Sequence, residues 1–309
     1  MLPIVYHRLY SAPQLRPGHR FPMGVFREIF NTLLSDGLIT MDQVHIPNKL
    51  VDKDILELAH CPEYVGHFLN GSLDAQRTRR IGFGDQTKTQ MLIDRTRAEI
   101  SGTMLTAELA LAHGLACNVA GGTHHGFKDF GSGFCILNDL VVTSKYLLAC
   151  QRVKKVLIVD LDVHQGDGTA SLCEGDDRIF TFSMHAMNNF PARKQRSDLD
   201  IALRDGCGDE EYLQILSATL PRLLQREKPD IVLFDAGVDT HCDDELGKLG
   251  LTDDGLMRRE MTVIDTCLGH DIPVAGYVGG GYAKDLSVLA KRHIHLHHAC
   301  LEMWKFFSL

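Results

Sequence analysis

Two rhythms of apolar residues alternate along this chain. Short apolar runs sit at residues 3–7, 115–120, 156–160, 179–183, 231–234 and 273–278. The run Val156, Leu157, Ile158, Val159 is rich in β-branched residues and has no polar alternation. Runs of this length and composition predict parallel strands covered on both faces. Between them, apolar positions at helical spacing predict helices. Residues 21–38 carry Phe26, Ile29, Phe30, Leu33 and Leu34 at that spacing and stop at Gly37. Residues 51–69 are interrupted by Pro62 and predict two short helices, whereas 91–113 predict one long helix containing Gly102. Further helices are predicted over 138–152, 209–227, 256–268 and 286–307. Residues 71–90 are polar, rich in Arg and Gly, and predict a long loop. Strands alternating with helices specify an α/β fold, an open parallel sheet flanked by helices on both faces. With no repeat, low-complexity stretch or linker, a single domain over residues 1–309 is expected.

Four predicted strands end in turns rich in glycine, acid or histidine. The run at 156–160 leads into D-L-D-V-H-Q-G-D-G-T, which holds Asp160, Asp162, His164 and Asp167. Asp162 and His164 are two residues apart, so in extended chain their side chains share a face and can grip one ion. The run at 115–120 leads into G-G-T-H-H-G with His124 and His125. The run at 231–234 leads into D-A-G-V-D with Asp235 and Asp239, and that at 273–278 into G-G-G-Y, ending in Tyr282. A parallel sheet puts all four turns on one edge, the edge where such sheets bind ligands. Asp162, His164 and Asp239 then offer two carboxylates and one imidazole and leave a position for water or substrate. With two histidines as base and acid and a tyrosine as oxyanion donor, the set suits metal-assisted hydrolysis.

Composition narrows the partners. The 309 residues are 44% hydrophobic and 23% charged, ordinary for a soluble globular protein. A net charge of −8 argues against nucleic acid as the main partner. It suits a cationic substrate, or an acidic surface kept for solubility. The nine cysteines include no C-x-x-C pair, and Cys117, Cys150 and Cys267 sit in apolar runs, as reduced thiols of a cytosolic protein do. The N-terminus lacks the pattern of a signal peptide, and no apolar stretch approaches the roughly 18 residues that cross a bilayer. A soluble, cytoplasmic protein with no membrane span is expected. The run His293, His295, His297, His298 has no acid beside it in sequence and reads as packed or solvated histidines.

The segments G-G-T-H-H-G-F-K-D-F-G-S-G-F-C-I-L-N-D, D-L-D-V-H-Q-G-D-G-T, D-A-G-V-D-T and G-G-G-Y resemble the signature blocks of the zinc-dependent histone deacetylases. The likeness covers nearly the whole chain, and the N-terminal Y-H and G-H-R-F-P-M segments are most similar to the class IV branch and its bacterial members. The resemblance implies the arginase–deacetylase fold and hydrolysis of N-acyl-lysine amides. It matches Asp162, His164 and Asp239 to the zinc ligands, with Zn2+ or Fe2+ as the metal. It matches His124 and His125 to the catalytic pair, Tyr282 to the oxyanion donor, and Asp160 and Asp167 to the carboxylates that bond the two histidines. Asp160 and Ser183, with carbonyls of Asp162, His164 and Met184, match a structural potassium site. Phe134, Phe190 and Gly133 match walls of the acyl-lysine tunnel, and Arg20 an arginine near the acetate exit. If Asp160 shares its charge with potassium, Asp167 is the better support for an imidazolium, so His125 is expected to move the proton and His124 to act through its field.

Two positions depart from the family pattern: Gln165, where many members repeat His, and His241, which could face the metal. Two rival functions share the fold. A binuclear manganese ureohydrolase requires a carboxylate two residues after the metal-binding histidine, where this chain has Gly166. A non-catalytic acyl-lysine-binding module is expected to lack a ligand or catalytic histidine, and none is missing. The partner is an acylated lysine in a protein or peptide, or a small acylated amine; acyl-chain length and oligomeric state stay open.

Overall fold

Eight short strands pair in parallel into one sheet. They are β1 (Ile4–Val5), β2 (Val44–His45), β3 (Leu115–Asn118), β4 (Val156–Asp160), β5 (Ile179–Ala186), β6 (Leu199–Leu203), β7 (Ile231–Asp235) and β8 (Val274–Tyr277). The computed structural model describes residues 1–309, and its sheet order is β2-β1-β3-β8-β7-β4-β5-β6. Alternation of side chains across each strand builds a core on either face. In β4, Leu157 and Val159 join one core, and Val156 and Ile158 the other.

Helices α1 (Val25–Ser35), α8 (Asp209–Glu227), α9 (Asp253–Leu268) and α10 (Leu286–Phe306) cover the first core. Helices α2 (Lys53–Leu56), α3 (Pro62–Leu69), α4 (Ala75–Ile81), α5 (Gln90–His113) and α6 (Asp139–Ala149) cover the second, with Cys173 at the end of α7 (Asp167–Cys173). This is the expected open parallel sheet with helices on both faces. No helix is long and apolar enough to cross a membrane.

The polar segment 71–90 is not one long loop: it holds α4 and a 3-10 turn at Gly84–Lys88. Caps rather than an apolar stripe make α4. Asp74 accepts a hydrogen bond from the Arg77 amide, and Gly82 closes the helix at φ 100°, a conformation glycine adopts without strain. Only Thr78 and Ile81 are buried, so the helical periodicity is faint. Strands β2 and β6 and helix α7 also went unpredicted. β2 is two residues long, β6 is a half-exposed edge, and α7 begins on the G-D-G turn itself.

Candidate active site

The sheet order makes β3, β8, β7 and β4 consecutive neighbours. Their carboxyl-terminal turns therefore meet, although up to 158 residues separate His124 from Tyr282 in sequence (282 − 124). Arg259 on α9 is fully buried and ties two of these turns together: its Nη1 donates to the carbonyls of Leu161 and Gly237 and to Thr240 Oγ1. Asp139 ties down the histidine turn, accepting from the amides of Gly122 and Thr123 and from the hydroxyls of Thr103 and Thr123.

Asp162, His164 and Asp239 converge at the end of β4, all buried, each offering a ligand atom within 4.8 Å of the others. His164 Nδ1 donates to Asp162 Oδ1 (3.0 Å) and lies 3.1 Å from Asp239 Oδ2, an oxygen that no hydrogen bond satisfies. The remaining oxygens are anchored by backbone: the Gly280 amide donates to Asp162 Oδ2 (2.9 Å) and the Val163 amide to Asp239 Oδ1 (2.8 Å). A Cβ at Gly280 would run into both Asp162 Oδ2 and Asp239 Oδ2, and one at Gly237 into Asp162. Two carboxylates and an imidazole nitrogen around an unsatisfied buried oxygen, in a cradle kept clear by glycine, fit a small divalent cation. Burial works against the charge on Asp162, but His124 and His164 outweigh it and hold its carboxyl well below the usual range. Burial, with the charge of Asp162 added, pushes Asp239 up to about 7. Burial opposes the imidazolium of His164, yet bonds to Asp162 and Asp239 raise it to about 10.

The two histidines stack with ring centroids 4.1 Å apart in unlike surroundings. His124 Nδ1 donates to Asp160 Oδ2 (2.8 Å), with Asp235 3.7 Å and Asp162 3.8 Å from its ring nitrogens. Burial disfavours its charge, but Asp160, Asp162 and Asp235 outweigh burial and raise its pKa well above the ordinary value. His125 Nδ1 donates to Asp167 Oδ1 (2.6 Å), its one acidic partner. Burial, reinforced by neighbouring His124, lowers His125 to about 4. Of the two histidines it is His124 that has the more acidic surroundings. Asp160 and Asp162 are the main reason, and Asp235, fully buried with neither oxygen hydrogen-bonded, adds a third carboxyl group beside His124.

Tyr282 closes the inner end. Its amide donates to Asp244 Oδ2 (2.7 Å), and Asp244 also takes the amides of Leu246 and Gly247, so one carboxylate fixes the glycine turn to the loop after β7. The Tyr282 ring lies 6.3 Å from His164 and 6.2 Å from Phe134. Burial and the charges of Asp239 and Asp162 raise the phenol well above its ordinary pKa, so it remains a donor. Outward from the metal ligands, an opening of about 420 Å³ is lined by Phe134, Phe190, Gly133, Leu246, Arg20 and Lys248 among others. The Phe190 and His125 rings pack at right angles, their centroids 4.9 Å apart. Phe134 holds φ 66°, a strained conformation for a bulky residue, and its amide donates to the Ile81 carbonyl at the end of α4. A Cβ at Gly133 would meet both His125 and Phe190.

The other expected residues fall as follows. Asp160 and Ser183 are register partners across β4 and β5, with Met184 next in the strand. Arg20 is not beside an inner exit: it is exposed at the rim of the opening. The arginine that reaches the inner chamber, a space of about 40 Å³, is Arg95 on α5, paired with Glu99 at 2.6 Å. Burial pushes Glu99 up to about 7, Asp139 adds to the rise, and Arg95 opposes it. His241 does not join Asp162, His164 and Asp239; its Nε2 lies 3.7 Å from Asp253 Oδ1. Gln165 pins the loop before β6, donating to the Gln195 carbonyl and Asp200 and accepting from the Gln195 amide. His293 and His297 lie on the buried face of α10, and His295 lies 3.4 Å from Asp253. Asp139, Asp235, Asp244, Arg259, Arg95 and Glu99 were not singled out as site residues from sequence. Asp139 and Asp235 sit inside the quoted motifs, whereas the other four carry no local signal.

The family model described as the histone deacetylase domain matches residues 19–297. An uncharacterised protein of Picosynechococcus sp. is 50% identical over 302 residues, covering 98% of this chain and 99% of the relative. Histone deacetylase 2 of Arabidopsis thaliana is 28% identical over 290 residues, covering 91% of this chain and 74% of the relative. The crystal structure of the HDA15 HD domain superposes with a TM-score of 0.82 at 20% identity, over 97% of this chain and 89% of that one, a likeness of fold. Motifs, topology and the match over residues 19–297 agree: the chain belongs to the histone deacetylase family.

Proposed function

We propose that the protein is a metal-dependent hydrolase that removes an acyl group, acetyl first among the candidates, from Nε-acyl-lysine or a related acylated amine. The observation that carries this reading is the placement of Asp162, His164, Asp239, His125 and Tyr282 at the inner end of one opening flanked by Phe134 and Phe190. A divalent ion, Zn2+ or Fe2+, held by Asp162, His164 and Asp239 would supply Lewis acidity toward an amide carbonyl and a water molecule.

The chain's own groups do the rest. Phe134 and Phe190 flank the aliphatic lysine stem and exclude water from it. His125 has Nδ1 committed to Asp167, which leaves Nε2 as the nitrogen that accepts a proton from the attacking water. The resulting imidazolium, its charge steadied by Asp167, is placed to protonate the departing lysine amine. His124, with Nδ1 committed to Asp160, contributes field and hydrogen bonding rather than proton transfer. The Tyr282 hydroxyl, kept protonated by burial and nearby carboxylates, donates to the carbonyl oxygen as negative charge develops there. Arg95, paired with Glu99, lines the inner chamber and would meet the released carboxylate there. Potassium at Asp160, Ser183 and the carbonyls of Asp162, His164 and Met184 would tie β4 to β5 beneath the site.

Gly166 weighs against the binuclear ureohydrolase, since a side chain there would collide with Asp160. The test is a panel of acyl-lysine peptides of increasing chain length, assayed with metal content measured. Release of acetate or fatty acid at about one divalent ion per chain supports the reading. Binding of the same peptides without turnover would favour a non-catalytic acyl-lysine module.

A further inference from the structure

The surface around the opening does not share the chain's overall charge. The molecule carries a net −8, yet no Asp or Glu lines the opening, which has Arg20 and Lys248. Both are exposed and neither forms an ion pair; Lys248 Nζ donates only to the Asn188 carbonyl (3.0 Å). A groove of about 460 Å³ adjoins the opening and adds Arg16, His19 and Arg79. The two spaces share a wall: His19 stacks on Phe83 and lies 5.7 Å from Phe134. The one carboxylate lining that groove, Asp85, has a side chain 99% exposed and lies 3.9 Å from Lys88. Glu245 precedes Leu246 but does not line the opening, and Lys194 is occupied by the carbonyls of Asn189 and Pro191. Four cations without ion-pair partners, Arg16, Arg20, Arg79 and Lys248, thus surround the approach to the site.

We propose that this rim selects acyl-lysine carrying a carboxylate close to the acylated side chain, and disfavours acylated polyamines. The inference rests on the deacylase reading for what enters the tunnel. The carboxylate comes either from acidic residues flanking the lysine in a peptide or from the main-chain carboxylate of free Nε-acetyl-lysine. A polyamine would bring ammonium groups against Arg20 and Lys248, and like charges at the mouth slow association as well as weakening it.

The experiment measures binding and turnover separately. Fluorescence anisotropy gives Kd for labelled acetyl-lysine peptides with Glu, Gln or Lys flanks, at low and high salt, on the metal-loaded protein. Unlabelled Nε-acetyl-lysine, its carboxamide and an acetylated polyamine compete against the Gln-flanked peptide. Exposed ion pairs are weak singly, so two or three should separate Glu-flanked from Gln-flanked peptide by about five-fold, with Lys-flanked weaker again. The separation should shrink at high salt and collapse in Arg20→Gln/Lys248→Gln. It should persist in Arg152→Gln/Arg222→Gln, an equal charge change at the opposite edge of the sheet. Better competition by free acetyl-lysine than by its carboxamide assigns the rim to the main-chain carboxylate; equal competition with ordered peptides assigns it to flanking residues. Equal Kd across the flanks and across the competitors, or an order that survives in Arg20→Gln/Lys248→Gln, overturns the proposal. Peptides that bind in the expected order but are never hydrolysed would leave the rim's selectivity standing and remove the deacylase reading.

Discussion

At the inner end of the opening, Asp162, His164 and Asp239 are buried, and backbone amides of Val163 and Gly280 hold their carboxylates in place. At the rim, Phe190 is 44% exposed, and Arg20 and Lys248 stand in water without ion pairs. The first region is made of groups whose burial is expensive unless something compensates it. The second is made of groups that ordinary solvation tolerates. Removal of a group should therefore be felt strongly and specifically inside, and weakly and through salt-dependent affinity outside.

The largest effect should come from the ligands. Asp239→Ala leaves two protein donors in place of three, and metal retention by elemental analysis should fall to background, with turnover lost. Gly280→Ala should do the same without removing a donor, because its Cβ meets both Asp162 and Asp239. Full metal occupancy in Gly280→Ala would mean that the cradle can shift.

Next come the histidines. His125→Ala should lose about 10²–10⁴ in kcat on an amide, the usual range for a general acid–base group. His124→Ala should lose less, and the gap should narrow on an ester, whose leaving group needs no proton. Equal losses on both substrates would return the pair to shared duty. Tyr282→Phe follows, expected to keep metal and substrate affinity while kcat falls about 10²–10³.

Glu99 allows a sharper test of the buried side through pH. Its carboxyl binds a proton more tightly folded (pKa about 7) than at the ordinary value of 4.5. The folded state then holds more protons than the unfolded state between these values, so this group's contribution declines as pH rises from 4.5 to 7. The span is of the order of 3 kcal/mol. Denaturant titrations of wild type and Glu99→Gln should differ in slope over that window, and parallel curves would mean that Arg95 already neutralises the acid. The smallest effect is the rim's, an affinity change of about five-fold at low salt.

How much of this was legible in the sequence follows the same division. The inner residues stand at strand ends in dense motifs, and a parallel sheet has few ways to arrange them, so pattern and topology together point to one edge. The surroundings of His124 were not legible, because Asp235 becomes its neighbour only through the β4–β7 pairing. Arg95 and Glu99 look like an ordinary i, i+4 surface pair on a helix; Tyr10, Phe21 and Phe26 cover them from a distant part of the chain. Arg20 was placed at the wrong end of the site because its neighbours in sequence do not say which side of Phe134 it reaches. Helix α4 escaped because its charged residues hide its period and its caps are single residues.

The central claim is that one divalent ion and this set of side chains cleave an acyl-lysine amide. The most direct measurement strips the protein of metal, restores one equivalent of Zn2+ or Fe2+, and follows acetate release from a Gln-flanked acetyl-lysine peptide, with elemental analysis on the same samples. The account expects no release from the stripped protein and full recovery at one ion per chain. An amide left intact at one bound ion per chain, or cleavage that begins only at two, would contradict it.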